Sequence, residues 1–413
     1  MKRFLAALAI PAIVVGAMAF AAPAAADDTD AQPLAAGGNL RYGGDTRYDV
    51  AIGISGQWSP GVDTVFLAKG TDYPDALSAA AVAAHVGAPL LLTPPDQLLP
   101  AVATRIQQLA PSHIVIVGGP ASVQPVVAEA LTGLAPDVQR VTGANRYEVA
   151  QNLIGSVFES APVLYVATGN TFPDALSASP AAAKAGGPVL LVNGGAPSVD
   201  AGTSTLISRL APAQIVIVGG PNSVSPAVES SLGQFAPVLR INGADRYEAS
   251  SAVNRYAFSS ADQVYFATGQ TFADALAGGA LAGQKQQPLL VVPGSCVTQG
   301  TADLVNGSYP WAQRVVFGGA NSVSDSVFSL SVCAPPPPPV DPNPPTNPNP
   351  PTNPNPPTQP GNPGDTKNCS DFATWQDAKA WFDTYYPYYG DIAKLDGNND
   401  GDPCESLPGH PKG

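Results

Sequence analysis

Histidine is nearly absent from this chain: among 413 residues only His85, His113 and His410 occur. None recurs between the repeated units described below, and His410 lies in the tail, so histidine-based acid–base or nucleophilic catalysis has no repeated home. No G-x-S-x-G elbow is present. G-x-G-x-x-G and G-K-[ST] are missing too, which leaves a nucleotide's phosphates without a backbone cradle. Basic residues are scarce, 19 Lys and Arg against 32 Asp and Glu, for a net charge of −13. That balance argues against nucleic acid, whose phosphates call for clustered cations. The four cysteines form no C-x-x-C pair, so a sulfur-bound zinc site is not expected. Beyond residue 20 no apolar run reaches the roughly 18 residues of a spanning helix.

What is present begins with an address. Lys2-Arg3, the apolar stretch Phe4 to Phe20 and the small-residue site Ala22-Pro-Ala-Ala-Ala26 read as a secretory signal peptide, residues 1–26. Its removal takes two bases and no acid, leaving −13 − 2 = −15. Residues 27–38 read as a disordered N-terminal segment. The mature chain is expected to be exported and to lack a membrane span, in a compartment that favours disulfides. Four cysteines allow three pairings. Cys296 and Cys333 precede a long proline tract and Cys369 and Cys404 follow it, so pairing within each side is favoured.

The dominant feature is a triplication. Lys69-Gly-Thr-Asp-Tyr-Pro-Asp-Ala-Leu-Ser78 returns as Thr168-Gly-Asn-Thr-Phe-Pro-Asp-Ala-Leu-Ser177 and as Thr268-Gly-Gln-Thr-Phe-Ala-Asp-Ala-Leu-Ala277. Asp75, Asp174 and Asp274 are 99 and 100 residues apart (174 − 75; 274 − 174). Upstream of each stands an Arg-Tyr-acid phrase: Arg47-Tyr48-Asp49, Arg146-Tyr147-Glu148 and Arg246-Tyr247-Glu248. Three repeats follow, at 39–135, 136–236 and 237–334. Each has three continuous Val/Ile/Leu runs, in the second Val163 to Ala167, Pro188 to Val192 and Gln214 to Gly220. Such runs mark strands buried on both faces of a parallel sheet. The helical segments between them, Ala175 to Ala185, Gly202 to Leu210 and Pro226 to Gln234, supply right-handed crossovers. The fold class is α/β, three small parallel-sheet three-layer domains. In the third, Ser295-Cys-Val-Thr-Gln-Gly300 is expected to interrupt a helix, as a terminal repeat often departs from its siblings.

Residues 335–364 are a linker. Hexads such as Asn347-Pro-Asn-Pro-Pro-Thr352 favour polyproline II at about 3.1 Å per residue, a spacer of roughly 90 Å. Residues 365–413 form a small module with a helix over Trp375 to Tyr385 and an aromatic turn to Gly390. Within it, Asp396, Asn398 and Asp400, followed by Gly401, have the D-x-N-x-D-G spacing that converges oxygen ligands on calcium. Asp402 at position 7 serves through its carbonyl; position 12 is Leu407, so this is not an ordinary EF-hand, and the alternative is a solvated acidic turn.

Two resemblances follow from these motifs. The tail, with Asn368-Cys-Ser-Asp371 and the run Asp396 to Glu405, resembles the excalibur domain, a short extracellular calcium-binding module. The resemblance implies calcium at Asp396, Asn398, Asp400 and Glu405, and a Cys369–Cys404 bridge. The repeats resemble the cell-wall-binding repeat type 2 family of Gram-positive surface proteins, on their Arg-Tyr-acid phrases, F-x-D-A-L and strands ending in Gly-Gly. That implies a pseudo-threefold assembly holding non-covalently to an anionic cell-wall polymer or peptidoglycan-associated glycopolymer; the triplication, the signal peptide and the lack of a catalytic set read as a binding protein rather than an enzyme. The candidate contacts are Arg47, Tyr48, Arg146, Tyr147, Arg246 and Tyr247, with Asp75, Asp174 and Asp274.

Each candidate has a structural reading beside the ligand one. The repeated aspartates read as the acid of a helix-capping box opened by Asp72, Thr171 or Thr271. The arginines read either as salt bridges between repeats or as forks for phosphate or carboxylate. The runner-up function is a wall glycan or amide hydrolase, since paired carboxylates meet only in space.

Overall fold

The computed structural model describes residues 38–334, 361–397 and 402–410. The expected signal peptide, most of the expected N-terminal segment and linker, and Asn398 and Asp400 of the expected calcium loop lie outside the described residues. The described chain divides into two units on either side of Pro335.

In the first repeat come β1 (Leu40–Tyr42), α1 (Arg47–Ser55), β2 (Thr64–Lys69), α2 (Ala79–His85), β3 (Leu90–Thr93), α3 (Pro100–Leu109), β4 (His113–Val117) and α4 (Pro125–Leu131). The second holds β5 (Asp137–Val141), α5 (Arg146–Val157), β6 (Val163–Thr168), α6 (Pro173–Lys184), β7 (Val189–Val192), α7 (Ala201–Leu210), β8 (Gln214–Val218) and α8 (Pro226–Leu232). The third holds β9 (Val238–Ile241), α9 (Arg246–Ala257), β10 (Gln263–Thr268), α10 (Ala273–Gln284), β11 (Leu289–Val292), α11 (Gln299–Ser308) and β12 (Gln313–Phe317).

These strands make three parallel sheets, ordered β3-β2-β4-β5, β7-β6-β8-β9 and β11-β10-β12-β1. The α/β class is therefore as expected, but each sheet has four strands where three apolar runs were read. The fourth is an edge strand, Asp137-Val-Gln-Arg-Val141 in the first sheet, mostly half-buried and polar at three of its five positions. A half-buried strand lacks the continuous apolar run of one covered on both faces, as β7 at the opposite edge of the second sheet is. The fourth strand also comes from the next repeat: β5 completes the first sheet and β9 the second. β1 closes the ring on the third, with Leu40 beside Val315 and Tyr42 beside Phe317.

Helices α2, α6 and α10 pack against one another at the centre. Their small residues have a steric cause. A Cβ added to Gly283 would lie 2.6 Å from Cβ of Ala84 and 3.0 Å from Cβ of Ala183, each on a different central helix. One at Gly278 would lie 2.1 Å from the ring of Phe317. Interiors this dense leave no room for a methyl group.

The departure of the third repeat falls elsewhere than expected. Helix α11 is ten residues long, as α7 is, capped by the Thr298 side chain. Residues 295–298 instead precede it, Gln299 and Gly300 open it, and Val297 pairs with Val332, closed by the Cys296–Cys333 disulfide. The helix that shrinks is the last one: a 3-10 turn, Asp325–Val327, stands where α4 and α8 stand.

The C-terminal unit is built on α12 (Trp375–Tyr389), whose Phe382 packs with Ala378, Ala393, Leu395 and Cys404. Cys369 pairs with Cys404. The expected aromatic turn is helical. Tyr385 lies 4.7 Å from Trp381 and Tyr386 stacks 4.5 Å from Phe382, i,i+4 pairs that hold the last turn. Gly390, at φ +67°, ends the helix.

Candidate functional site

The repeated phrases gather at the carboxyl ends of the strands, where open α/β sheets bind ligands. Tyr73, Phe172 and Phe272 meet edge to face, their centroids 5.4, 5.7 and 6.2 Å apart. Each is overlain by an arginine from the following repeat. Arg146 lies 5.9 Å above Tyr73, Arg246 6.0 Å above Phe172 and Arg47 5.7 Å above Phe272. Each arginine also donates to a carbonyl of its own repeat: Arg47 to Gly70 (2.7 Å), Arg146 to Gly169 (2.6 Å) and Arg246 to Gly269 (2.8 Å). The three guanidinium groups are thus held by one hydrogen bond and a ring face apiece.

The neighbouring tyrosines explain those glycines. A Cβ at Gly70, Gly169 or Gly269 would lie 2.6, 2.6 and 2.7 Å from the rings of Tyr48, Tyr147 and Tyr247. Burial raises the pKa of all three phenols. Tyr147 Oη donates to the Asn170 side chain (2.8 Å).

The aspartates are not capping residues. Helices α6 and α10 have Phe172 and Phe272 at their N-caps, with no side-chain cap, and α2 starts only at Ala79 behind Ser78. Helix α6 starts at Pro173 and α10 at Ala273, which leaves Thr171 and Thr271 outside the helices, and Asp174 and Asp274 face the next loop. There each carboxylate accepts from a serine beyond the Gly-Gly turn: Asp75 from Ser122, Asp174 from Ser223, and Asp274 from Ser322 at 3.1 Å. The first glycine of each turn has positive φ, +106°, +117° and +112° at Gly118, Gly219 and Gly318. A Cβ there would strike the aspartate Oδ2 at 2.7, 2.4 and 2.6 Å. The F-x-D and Gly-Gly motifs are two halves of one contact.

Capping boxes do exist, one phrase upstream. Thr46 and Asp49 form one at α1. Asn145 and Asp245 cap α5 and α9, while Glu148 and Glu248 accept from Ala144 and Ala244 N–H at 2.8 and 3.1 Å. The acid after Arg-Tyr is the helix-start signal.

Asp174 and Asp274 are each 7% exposed. Burial raises both carboxyl pKa values, opposed by the serine hydrogen bond and by the field of Arg246 on Asp174 and of Arg47 on Asp274. The facing arginine again comes from the next repeat. Each cleft is therefore composite. Asp75 and Arg146 line the one between the first and second repeats, and Asp174 and Arg246 the one between the second and third.

A second arginine set was not singled out from the sequence. Arg41, Arg140 and Arg240 stand six positions before Arg47, Arg146 and Arg246. They donate to the carbonyls of Gly318 (2.7 Å), Gly118 (2.9 Å) and Gly219 (2.8 Å). Arg41 pairs with Asp325 and Arg240 with Glu229. They fix the Gly-Gly turns from below the site. The constant spacing of six was the available signal, as was a serine four residues after Gly118, Gly219 and Gly318.

The chain matches Cell wall binding domain 2 at residues 41–128, 140–229 and 240–328. It belongs to the CWB2 family. Among curated proteins it is similar to the N-acetylmuramoyl-L-alanine amidase LytC of Bacillus subtilis (strain 168), 31% identical over 287 residues, 70% of this chain and 56% of that protein. It is similarly 31% identical over 288 residues to the Amidase enhancer of the same organism, of which it covers 39%. The chain thus spans about half the length of these relatives or less. Among solved structures, Cwp6 and Cwp8 from Clostridium difficile each superpose with a TM-score of 0.65 at 24% identity, over 70% of this chain and 47% and 50% of theirs. Those likenesses carry the CWB2 fold.

In the C-terminal unit, Asp396 is 4% exposed and its N–H donates to Asp391 (3.0 Å). Asp402 accepts from Trp375 Nε1 at 2.8 Å and lies 2.8 Å from His410 Nε2. Glu405 is exposed.

Proposed function

We propose that this is an exported, non-enzymatic wall-binding protein whose three CWB2 repeats hold an anionic cell-wall glycopolymer non-covalently in the clefts between them. The observation that carries the reading is the composite cleft: a carboxylate from one repeat faces a guanidinium from the next. The arginine offers unused N–H groups to a phosphate or carboxylate, and the buried aspartate is an acceptor for a sugar hydroxyl. Tyr48, Tyr147 and Tyr247 pack against the glycines whose carbonyls hold the arginines. No helix among the described residues is long and apolar enough to cross a membrane, so attachment through the polymer accounts for retention at the wall. Co-sedimentation of the mature chain with purified walls tests this.

The amidase names of two relatives favour a second reading, that the chain works beside or as a wall hydrolase. The shared length, 287 residues, is within one of the 288 positions (328 − 41 + 1) that span the three repeats, which supports common binding repeats more than a common catalytic part. Release of soluble fragments from labelled peptidoglycan, abolished in Asp174→Asn, would favour the hydrolase.

For the tail we propose an excalibur-like calcium module displayed on the proline spacer. Asp396, Asn398, Asp400 and Glu405, with the Asp402 carbonyl, would hold the ion, whose chemistry is to cross-link the loop. The fit is supported by the burial of Asp396, by the engagement of the Asp402 carboxylate with Trp375 and His410, which fixes the end of the loop, and by the disulfide that anchors the loop at Cys404. Calcium is expected to raise the melting temperature of the module, read by tryptophan fluorescence in the full chain, and a chelator to reverse it. An unchanged melt would remove calcium from the account.

A further inference from the structure

The clefts are built alike but not charged alike. Between the first and second repeats lies a cavity of about 230 Å³ lined by Lys69, Asp72, Asp75, Ser122, Asn145 and Arg146. Between the second and third lies one of about 360 Å³, where the lining includes Thr171, Asp174, Ser223, Asn242, Asp245 and Arg246. Two substitutions set them apart. Lys69 stands where the other repeats have Thr168 and Thr268, and Asn145 caps α5 where Asp245 caps α9. Counting ionisable side chains, the first cleft carries two cations and two carboxylates (2 − 2 = 0). The second carries one cation and two carboxylates (1 − 2 = −1).

Lys69 is not needed to build the turn. Thr168 and Thr268 are buried and their hydroxyls accept from Asn170 and Gln270 N–H at 3.2 Å, a local turn bond. The lysine gives that bond up. Its side chain is 25% exposed, and its ammonium stands 3.8 Å from Asp72 at the cavity. In a chain with only 19 Lys and Arg, a cation placed here at the expense of a structural contact has a use.

We propose that the clefts are unequal subsites, and that the one between the first and second repeats is the anion subsite, taking an acidic substituent of the polymer between Lys69 and Arg146. The cleft between the second and third repeats takes a neutral, hydroxyl-bearing sugar. The inference rests on the wall-binding reading. The cavity is smaller than the roughly 300–1,000 Å³ of sites that enclose a whole small molecule, which suits one substituent of a longer chain. Phosphate and carboxylate share the required chemistry, anionic oxygens for an ammonium point charge and a planar fork.

The test is calorimetric titration of the full mature protein at low salt with two probes, a glycerol-phosphate oligomer and an oligogalacturonate. In parallel, each variant is sedimented with purified walls. Lys69→Thr carries the residue of the sibling repeats, so its melting temperature should match the parent's. Its affinity for the anionic oligomer that binds should fall roughly tenfold, the difference shrinking as salt rises. Asp245→Asn, which gives the second cleft the cap of the first, should raise affinity for the same oligomer. Loss seen with the phosphate oligomer alone identifies phosphate, and with the uronate alone carboxylate. If walls bind but neither oligomer does, or Lys69→Thr binds like the parent, the anion subsite is wrong and wall binding stands. If walls themselves fail to bind, the functional reading falls with it.

Discussion

Asp174 and Asp274 are paid for in stability. Burial raises their folded pKa above the unfolded value, so protonation favours the fold. That contribution is full below the unfolded value of about 3.9 and is lost as pH rises through the folded pKa. Asp174→Asn keeps the shape and the Ser223 contact without the charge. It is expected to melt above the parent at pH 7, with the gap closing below about pH 4. A gap independent of pH would show that the carboxylate is not the cause. Gly219→Ala should behave oppositely. Its φ of +117° and the 2.4 Å approach to Asp174 Oδ2 predict a loss of about 1–3 kcal/mol in denaturant unfolding. Gly220→Ala, with nothing within 4 Å of the new Cβ, is the near-neutral control.

At the scale of elements, legibility followed burial. The central strands, such as β6 and β8, announce themselves because both faces are covered, and Val163 to Ala167 and Ile215 to Val218 are apolar throughout. The strands β1, β5 and β9 do not, because they are mostly half-buried and carry Arg41, Arg140 and Arg240, whereas β3, β7 and β11 at the opposite edges are buried throughout and apolar. The capping box was legible as chemistry but assigned to the wrong helix. T-F-P-D has the right letters, yet Pro173 and the Ser223 contact decide that Asp174 faces the cleft. Both disulfide pairings were legible because the proline tract separates the cysteines by pairs. The composite clefts were not, because the residues that share one, Asp174 and Arg246 for instance, are 72 positions apart (246 − 174) and belong to different repeats.

At the scale of the molecule, the first unit is a closed ring of repeats in which each lends an edge strand to its predecessor and an arginine to its predecessor's cleft. Closure depends on three residues, Leu40–Tyr42, and on Arg41, 6% exposed and paired with Asp325 at 2.8 Å. Deleting residues 38–43 should bare the edge of β12. A lower melting temperature and concentration-dependent association, seen by light scattering after size exclusion, are expected because an unpaired edge recruits another chain. A monomer of unchanged stability would mean that β1 is an ornament to the third sheet.

The function belongs to this same scale, since no single repeat owns a complete cleft. The most direct measurement is sedimentation of the full mature chain with purified cell walls before and after chemical removal of their anionic polymers, at physiological salt. The account predicts that the protein pellets with intact walls and stays in solution with stripped peptidoglycan. Equal pelleting with both, or with neither, would contradict it.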